Sequence, residues 1–245
     1  MNINYTKSTS QIFEDIEQDG YSTLEHAIDS ITLKEIQDYI TELKYKNVGT
    51  FSVVGHENLS GSLIGDIYNN EDFLKIQAAL VSKKVGLEIQ PSESKYQVLR
   101  VLNGGSVNSQ SHLFHFDNYT LTVLLPIFIP TNIDNKNGDL LVLPNIRDIS
   151  SSPSRDAFIK IVTQNPLSRK LLKWPFIRNL FDFQSIKLKP GNLYFFWGFS
   201  SYHGNDDCNE GSLRSTALFH FHKTVKGKNA LSVLTSTKKR SRAKI

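Results

Sequence analysis

The 245 residues are 39% hydrophobic and 21% charged, the balance of a soluble globular protein large enough to bury a core of its own. A single cysteine, Cys208, excludes an internal disulfide and fits a reducing, cytoplasmic compartment; no apolar run reaches bilayer-spanning length, since the longest, Leu121 to Pro130, is broken by Thr122 and two prolines. The formal charge of +4 sits in the C-terminal stretch from Lys223, where eight Lys and Arg occur with no acidic residue; residues 1–222 carry −4, so the folded body is not basic and no nucleic-acid partner is expected.

The first twenty residues are polar and lack the apolar region of a secretory signal. Ile12, Phe13 and Ile16 lie at helical spacing, and Asp19-Gly20 ends that segment. Tyr21 to Ala27 reads as a short strand. Thr32 with Glu35 resembles a capping box, opening a helix through Leu43 whose apolar stripe is Leu33, Ile36, Ile40 and Leu43. Another helix is predicted from Asn70 to Ser82. From Tyr96 the texture changes to strands: Tyr96–Leu102, Leu113–Asp117, Leu121–Ile129, Asp139–Leu143, one beginning at Ser185–Leu188, Leu193–Trp197 and Ser212–Lys223. Asn103-Gly104-Gly105, Asn135–Gly138 and Lys189–Asn192 supply turns between them. Residues 153–183 read as short helical pieces broken at Pro166 and Pro175.

This order predicts a mainly β protein with flanking helices, built on a jelly-roll core (a double-stranded β-helix, cupin-like). The expected organisation is one domain over 1–245. Helical support covers about 11–90 and the jelly-roll core about 95–223. A helical insertion spans about 153–183, and a basic tail covers 224–245.

One constellation carries chemistry. His115-Phe116-Asp117 is followed 88 residues after His115 by His203, and eleven residues later by Arg214. On a strand, residues 115 and 117 point the same way. Two imidazoles and a carboxylate in this order match the 2-His-1-carboxylate facial triad, which holds Fe(II) on one face and leaves the others open. The bland alternative is a surface strand histidine beside a turn aspartate. A turn and an antiparallel strand after His203 would bring the Arg214 guanidinium near the metal, where it can clamp a carboxylate; otherwise it makes a surface salt bridge.

Several stretches resemble the phytanoyl-CoA dioxygenase-like branch of the Fe(II)/2-oxoglutarate-dependent oxygenases. They are Phe13–Tyr21, Asn137–Pro144, Lys189–Leu193, the His115/Asp117 pair, His203-Gly204-Asn205 and Arg214, and the likeness runs over about residues 11–222. The chain departs from the family pattern after Pro144, where Asn145-Ile146-Arg147 stands in place of Gly-Ser-His. The resemblance implies Fe(II) held by His115, Asp117 and His203, 2-oxoglutarate as co-substrate with its distal carboxylate on Arg214, and O2 as oxidant. It implies hydroxylation of a small metabolite or biosynthetic intermediate, with release of succinate and CO2. Asp117 fills a slot that Gly or Ala holds in related halogenases, and so favours hydroxylation or desaturation. Thr216, on the face of Arg214, would add a hydroxyl to the co-substrate site. Thr122 either assists the co-substrate or bonds to backbone. Gln97 matches a family position that touches substrate or co-substrate.

His220 and His222 continue the inward face of the Arg214 strand and read as satisfied barrel-end histidines, while His112 reads as an exposed loop residue. Pro166–Phe183 reads as an amphipathic helix with its cations solvated, or else as a lid. The rival functions are a cupin-like metalloprotein of another activity and a non-catalytic binder with a degenerate site.

Overall fold

A computed structural model of the chain describes residues 2–93, 95–104, 107–108, 111–131, 136–147 and 171–224. The predicted jelly roll is present as two antiparallel sheets. The larger contains β1 (Ser22–Leu24), β2 (Phe51–Val54), β3 (Lys95–Asn103), β4 (Tyr119–Phe128), β7 (Leu193–Phe196) and β9 (Leu213–Lys223), in the order β1-β7-β4-β9-β3-β2. The smaller contains β5 (Leu140–Leu143), β6 (Gln184–Ile186) and β8 (Tyr202–Asn205), in the order β6-β5-β8.

Strand parity divides the interior. Odd-numbered residues of the large sheet, among them Leu99, Val101, Leu121, Val123, Phe195, Ala217 and Phe219, pack against the helices. Their partners there include Ile12, Ile16, Ile36, Ile40 and Phe73. Even-numbered residues face the second sheet, where Leu124, Tyr194 and Phe196 meet Leu140, Val142 and Ile186. The register preserves this alternation, pairing Thr122 with His220, Arg100 with Thr216 and Leu102 with Arg214. On β3 and β9, and on β4 as far as its bulge after Pro126, the even positions therefore look into the space between the sheets.

The helices show where local chemistry sets boundaries. α1 (Thr9–Asp19) opens with a reciprocal cap between Ser8 and Gln11 and stops at Gly20, whose φ of 86° suits glycine. α2 (Ser30–Lys46) begins before the expected Thr32, because the Asp29 carboxylate takes the N–H groups of both Ile31 and Thr32. A carboxylate at the positive end of a helix outcompetes a hydroxyl, and Thr32 Oγ1 itself donates to Asp29 at 2.7 Å. α3 (Leu63–Asn69) and the edge strand β2 carry too little periodicity to be read in advance. α4 (Glu71–Val85) starts at the Asn70 cap, as predicted, and runs three residues beyond Ser82 to a Gly86 stop.

The expected strand Leu113–Asp117 reduces to one bridge, His115 with His203. His112 sits at φ 55°, and the Asp117 N–H donates to Gly198 O rather than to a ladder partner. Of the predicted insertion, 153–170 lies outside the described residues, as do Asn135 of the Asn135–Gly138 turn and the tail beyond Thr224. Pro175 opens α5 (Pro175–Leu180) rather than breaking a helix, the position where its missing N–H costs nothing. Leu172, Ile177 and Phe183 from this segment pack with Phe114, Leu141 and Tyr202 on the outer face of the small sheet, while Trp174 and Phe176 stay exposed. Arg178 is not solvated as expected: it is buried, donating to the carbonyls of Leu172 and Lys173 and to Asp206. No described helix is long and apolar enough to cross a membrane.

Candidate metal centre

His115, Asp117 and His203 come together between the sheets, with one ligand atom from each inside a 4.8 Å circle. His115 Nε2 lies 3.5 Å from Asp117 Oδ1, and His203 Nε2 lies 3.5 Å from Asp117 Oδ2. Each imidazole has its Nδ1 against a backbone carbonyl: His115 donates to Leu113 O at 2.9 Å and His203 to Ser201 O at 3.0 Å. Those bonds set the tautomer, so both Nε2 lone pairs point at the shared centre. Two neutral imidazole nitrogens and one carboxylate oxygen form a donor set that suits a divalent first-row metal.

Asp117 is held by more than its ligand neighbours. Thr122 Oγ1 donates to Asp117 Oδ2 at 2.5 Å and lies 3.0 Å from His220 Nδ1, which in turn is 3.6 Å from the same carboxylate oxygen. A chain from His220 through Thr122 thus occupies Oδ2 and leaves Oδ1 toward the centre. Gly198 makes this fit possible: a Cβ there would strike both Thr122 Oγ1 and Asp117 Oδ2. Burial alone would push the Asp117 carboxyl up, but His203, His220 and His115 outweigh it and hold it well below the usual carboxylate range. Burial pushes His203 down to about 4, so it is neutral and free to ligate at neutral pH. His115 differs. Burial lowers its pKa, Asp117 beside it raises it more, and its side chain is 44% exposed. The candidate centre therefore opens on the His115 side.

Arg214 lies deeper on the same interior face and is 1% exposed. Its Nε donates to Gly138 O at 3.1 Å, while Nη2 is buried with no partner. Gly138, at φ 69°, lies so close to the Arg214 side chain that a Cβ would meet its Cδ and Nε at 2.7 Å. Burial lowers the guanidinium to about 10, still charged at neutral pH. A charged donor left unpaired in a dry interior is costly unless an anion completes it. The amide Nδ2 of Asn205, on the interior face of β8 opposite Leu140, is likewise buried and unpartnered.

Of the remaining residues singled out from sequence, Thr216 lies on the interior face beside Arg214, as expected. Thr122 reaches neither backbone nor open pocket, because its hydroxyl is committed to Asp117. Gln97 is not brought to the site. It occupies the odd face of β3 and donates to Ile64 O at 3.0 Å, among the helices. Gln97→Leu is accordingly expected to cost stability by roughly 1–3 kcal/mol through the orphaned carbonyl, while leaving any ligand affinity at the interior face unchanged. Thermal melts beside ligand titration check this, and a selective loss of ligand affinity would return Gln97 to the pocket.

His220 is more than a satisfied barrel-end residue, since it belongs to the hydrogen-bonded chain behind Asp117. His112 is buried, with Asp206 and Asp207 within 3.4 Å, rather than an exposed loop residue. Arg100 and Gly198 escaped the sequence reading, and Asn205 entered it only as part of the His203-Gly204-Asn205 motif. Arg100 alone had a further usable signal, its even position between Leu99 and Val101, which pack against the helices.

No protein-family model matches the chain, and no curated protein matches it. Solved structures do. AviO1 from Streptomyces viridochromogenes Tue57 aligns with a TM-score of 0.59 at 11% identity, over 92% of this chain and 99% of that one. The non-heme alpha-ketoglutarate-dependent carbocyclase SnoK from nogalamycin biosynthesis gives 0.59 at 10% identity, over 89% and 88%. A Pseudomonas putida prolyl-4-hydroxylase gives 0.54 at 10% identity, over 91% and 98%. At such identities the likeness establishes one thing: this chain shares the jelly-roll fold of those proteins.

Proposed function

We propose that the protein is an Fe(II)/2-oxoglutarate-dependent oxygenase of the phytanoyl-CoA dioxygenase-like type that hydroxylates a small organic substrate, releasing succinate and CO2. The observation that carries this reading is the buried guanidinium of Arg214, whose Nη2 has no partner, in the same interior as the His115/Asp117/His203 set. A metal-binding protein without a carboxylate co-substrate has no use for such a cation. Two of the structural neighbours, SnoK and SnoN, are described as alpha-ketoglutarate dependent, which supports the same assignment.

In this mechanism His115, Asp117 and His203 hold the metal, and the bound iron with 2-oxoglutarate supplies the oxidising chemistry. The chain's own part is geometric. The carbonyls of Leu113 and Ser201 keep both imidazoles in the ligating tautomer. Thr122 and His220 hold one oxygen of Asp117, so the carboxylate presents the other. Arg214, fixed by Gly138 O, offers its remaining N–H groups to the distal carboxylate and sets the co-substrate's direction in the pocket. Leu102, directly opposite Arg214, and Cys208, beside Gly138, are both buried and keep water from that end. Substrate enters on the open His115 side.

An anaerobic titration tests this directly. Purified protein is loaded with Fe(II), then 2-oxoglutarate, while visible absorption is followed. A weak metal-to-ligand charge-transfer band is expected for the wild type. Bound iron without a band would favour a cupin-like metalloprotein, and no iron binding at all a non-catalytic binder.

A further inference from the structure

Among the described residues, Arg100 is a charged residue of the space between the sheets that the proposed mechanism leaves unused. It sits on the even face of β3, directly opposite Thr216, two residue pairs along the ladder from the Leu102–Arg214 pair. Arg100 is the diagonal neighbour of Arg214 on that face, a spacing of about 7–8 Å between side-chain positions. Burial lowers both guanidinium pKa values, and Arg100 adds to the lowering at Arg214. Asp117 is the one acidic group that acts on Arg100. Asp139 acts on Arg214 instead and is itself offset by Lys187. Arg100 is half-buried, with its strand neighbours Val98 and Leu102 also on the interior face.

The charge balance then points outward from the co-substrate. On the reading proposed above, Asp117 and a doubly negative 2-oxoglutarate bring three negative charges. A divalent metal, Arg214 and Arg100 bring four positive ones, the ligand histidines being neutral. Both carboxylates of the co-substrate are already assigned, one to the metal and one to Arg214. One positive charge remains, and it belongs to Arg100 in a low-dielectric space where an unmatched charge is expensive.

We infer that Arg100 is the recognition point for an anionic group on the primary substrate, so that the protein acts on a small organic acid bearing a carboxylate, phosphate or sulfate. A planar guanidinium binds all three through paired N–H groups. This inference rests on the 2-oxoglutarate reading and would fall with it.

The test uses the full chain loaded anaerobically with Fe(II) and 2-oxoglutarate, with the charge-transfer band as the readout. Acetate, inorganic phosphate and sulfate are titrated in as simple probes, each against acetamide or glycerol as a neutral control. In the wild type at least one of the three anions is expected to shift the band saturably, and the neutral controls are not. Arg100→Gln is expected to weaken that anion's effect at least tenfold while 2-oxoglutarate affinity stays within about twofold; Arg100→Lys should recover part of it. Which anion binds best separates a carboxylate substrate from a phosphate or sulfate ester. Three outcomes overturn the inference: no anion shifts the wild-type band, neutral probes act equally, or Arg100→Gln weakens 2-oxoglutarate itself. Failure of the band to form in the wild type is a different result and removes the co-substrate reading first.

Discussion

In an Asp117→Ala protein, Fe(II) retention and succinate release are expected to disappear together. The substitution removes the single anionic ligand of the candidate centre and leaves two neutral imidazoles to hold a divalent cation. It also strips Thr122 of its acceptor and breaks the chain that runs through it to His220. Loss of partners behind a metal ligand typically costs 10–100-fold in affinity or activity, and loss of the ligand itself exceeds that. Iron content after dialysis and succinate formation are the two measurements. The folded state should survive, because a buried carboxylate surrounded by histidines is a functional arrangement more than a stabilising one. An unchanged near-ultraviolet circular dichroism spectrum would establish that. Normal iron content with normal turnover would remove Asp117 from the ligand set.

Arg214→Ala is expected to separate the two ligands. Iron should still bind, while 2-oxoglutarate affinity falls by about 2–5 kcal/mol, the cost of truncating one partner of a buried charge pair. At about 1.4 kcal/mol per tenfold, that is a loss of more than one decade and up to three or four. The anaerobic charge-transfer band at fixed 2-oxoglutarate measures it. Arg214→Lys should recover only part of the loss, since an ammonium cannot reproduce the paired N–H geometry or keep the Nε bond to Gly138 O. Equal 2-oxoglutarate affinity in wild type and Arg214→Ala would place the co-substrate elsewhere.

The sequence made the metal set legible because its signal is dense: His115 and Asp117 one residue apart, then His203 and Arg214 at a spacing that one turn and one strand can close. Alternation on β9 then placed Thr216, His220 and His222 on the face of Arg214. The same alternation misled at β3. Gln97 was matched by family pattern, yet its odd position turns it toward the helices, and the residue that faces inward from that strand is Arg100. A polar residue in an otherwise apolar strand looks the same in either orientation until the register is known. The strand expected around His115 failed for a related reason. Its residue types suit a strand, but the Asp117 N–H goes to Gly198, a contact across 81 residues that no local pattern encodes. Asp29 at the start of α2 was a smaller case, in which a nearer and stronger acceptor displaced the expected cap.

The position of β9 has a consequence for how the protein is made. It is the last described strand in the chain, yet it lies between β3 and β4, and neither of those pairs with the other. Until β9 arrives, β3 and β4 each present an open edge, and the sheet exists only as fragments. Pairing over more than ninety residues is slow and leaves such edges exposed to aggregation. The strand that zips the sheet shut is also the one that carries Arg214. A nascent chain therefore cannot hold a half-built barrel with Arg214 already in place: the proposed anchor and the closed sheet come into being in the same step.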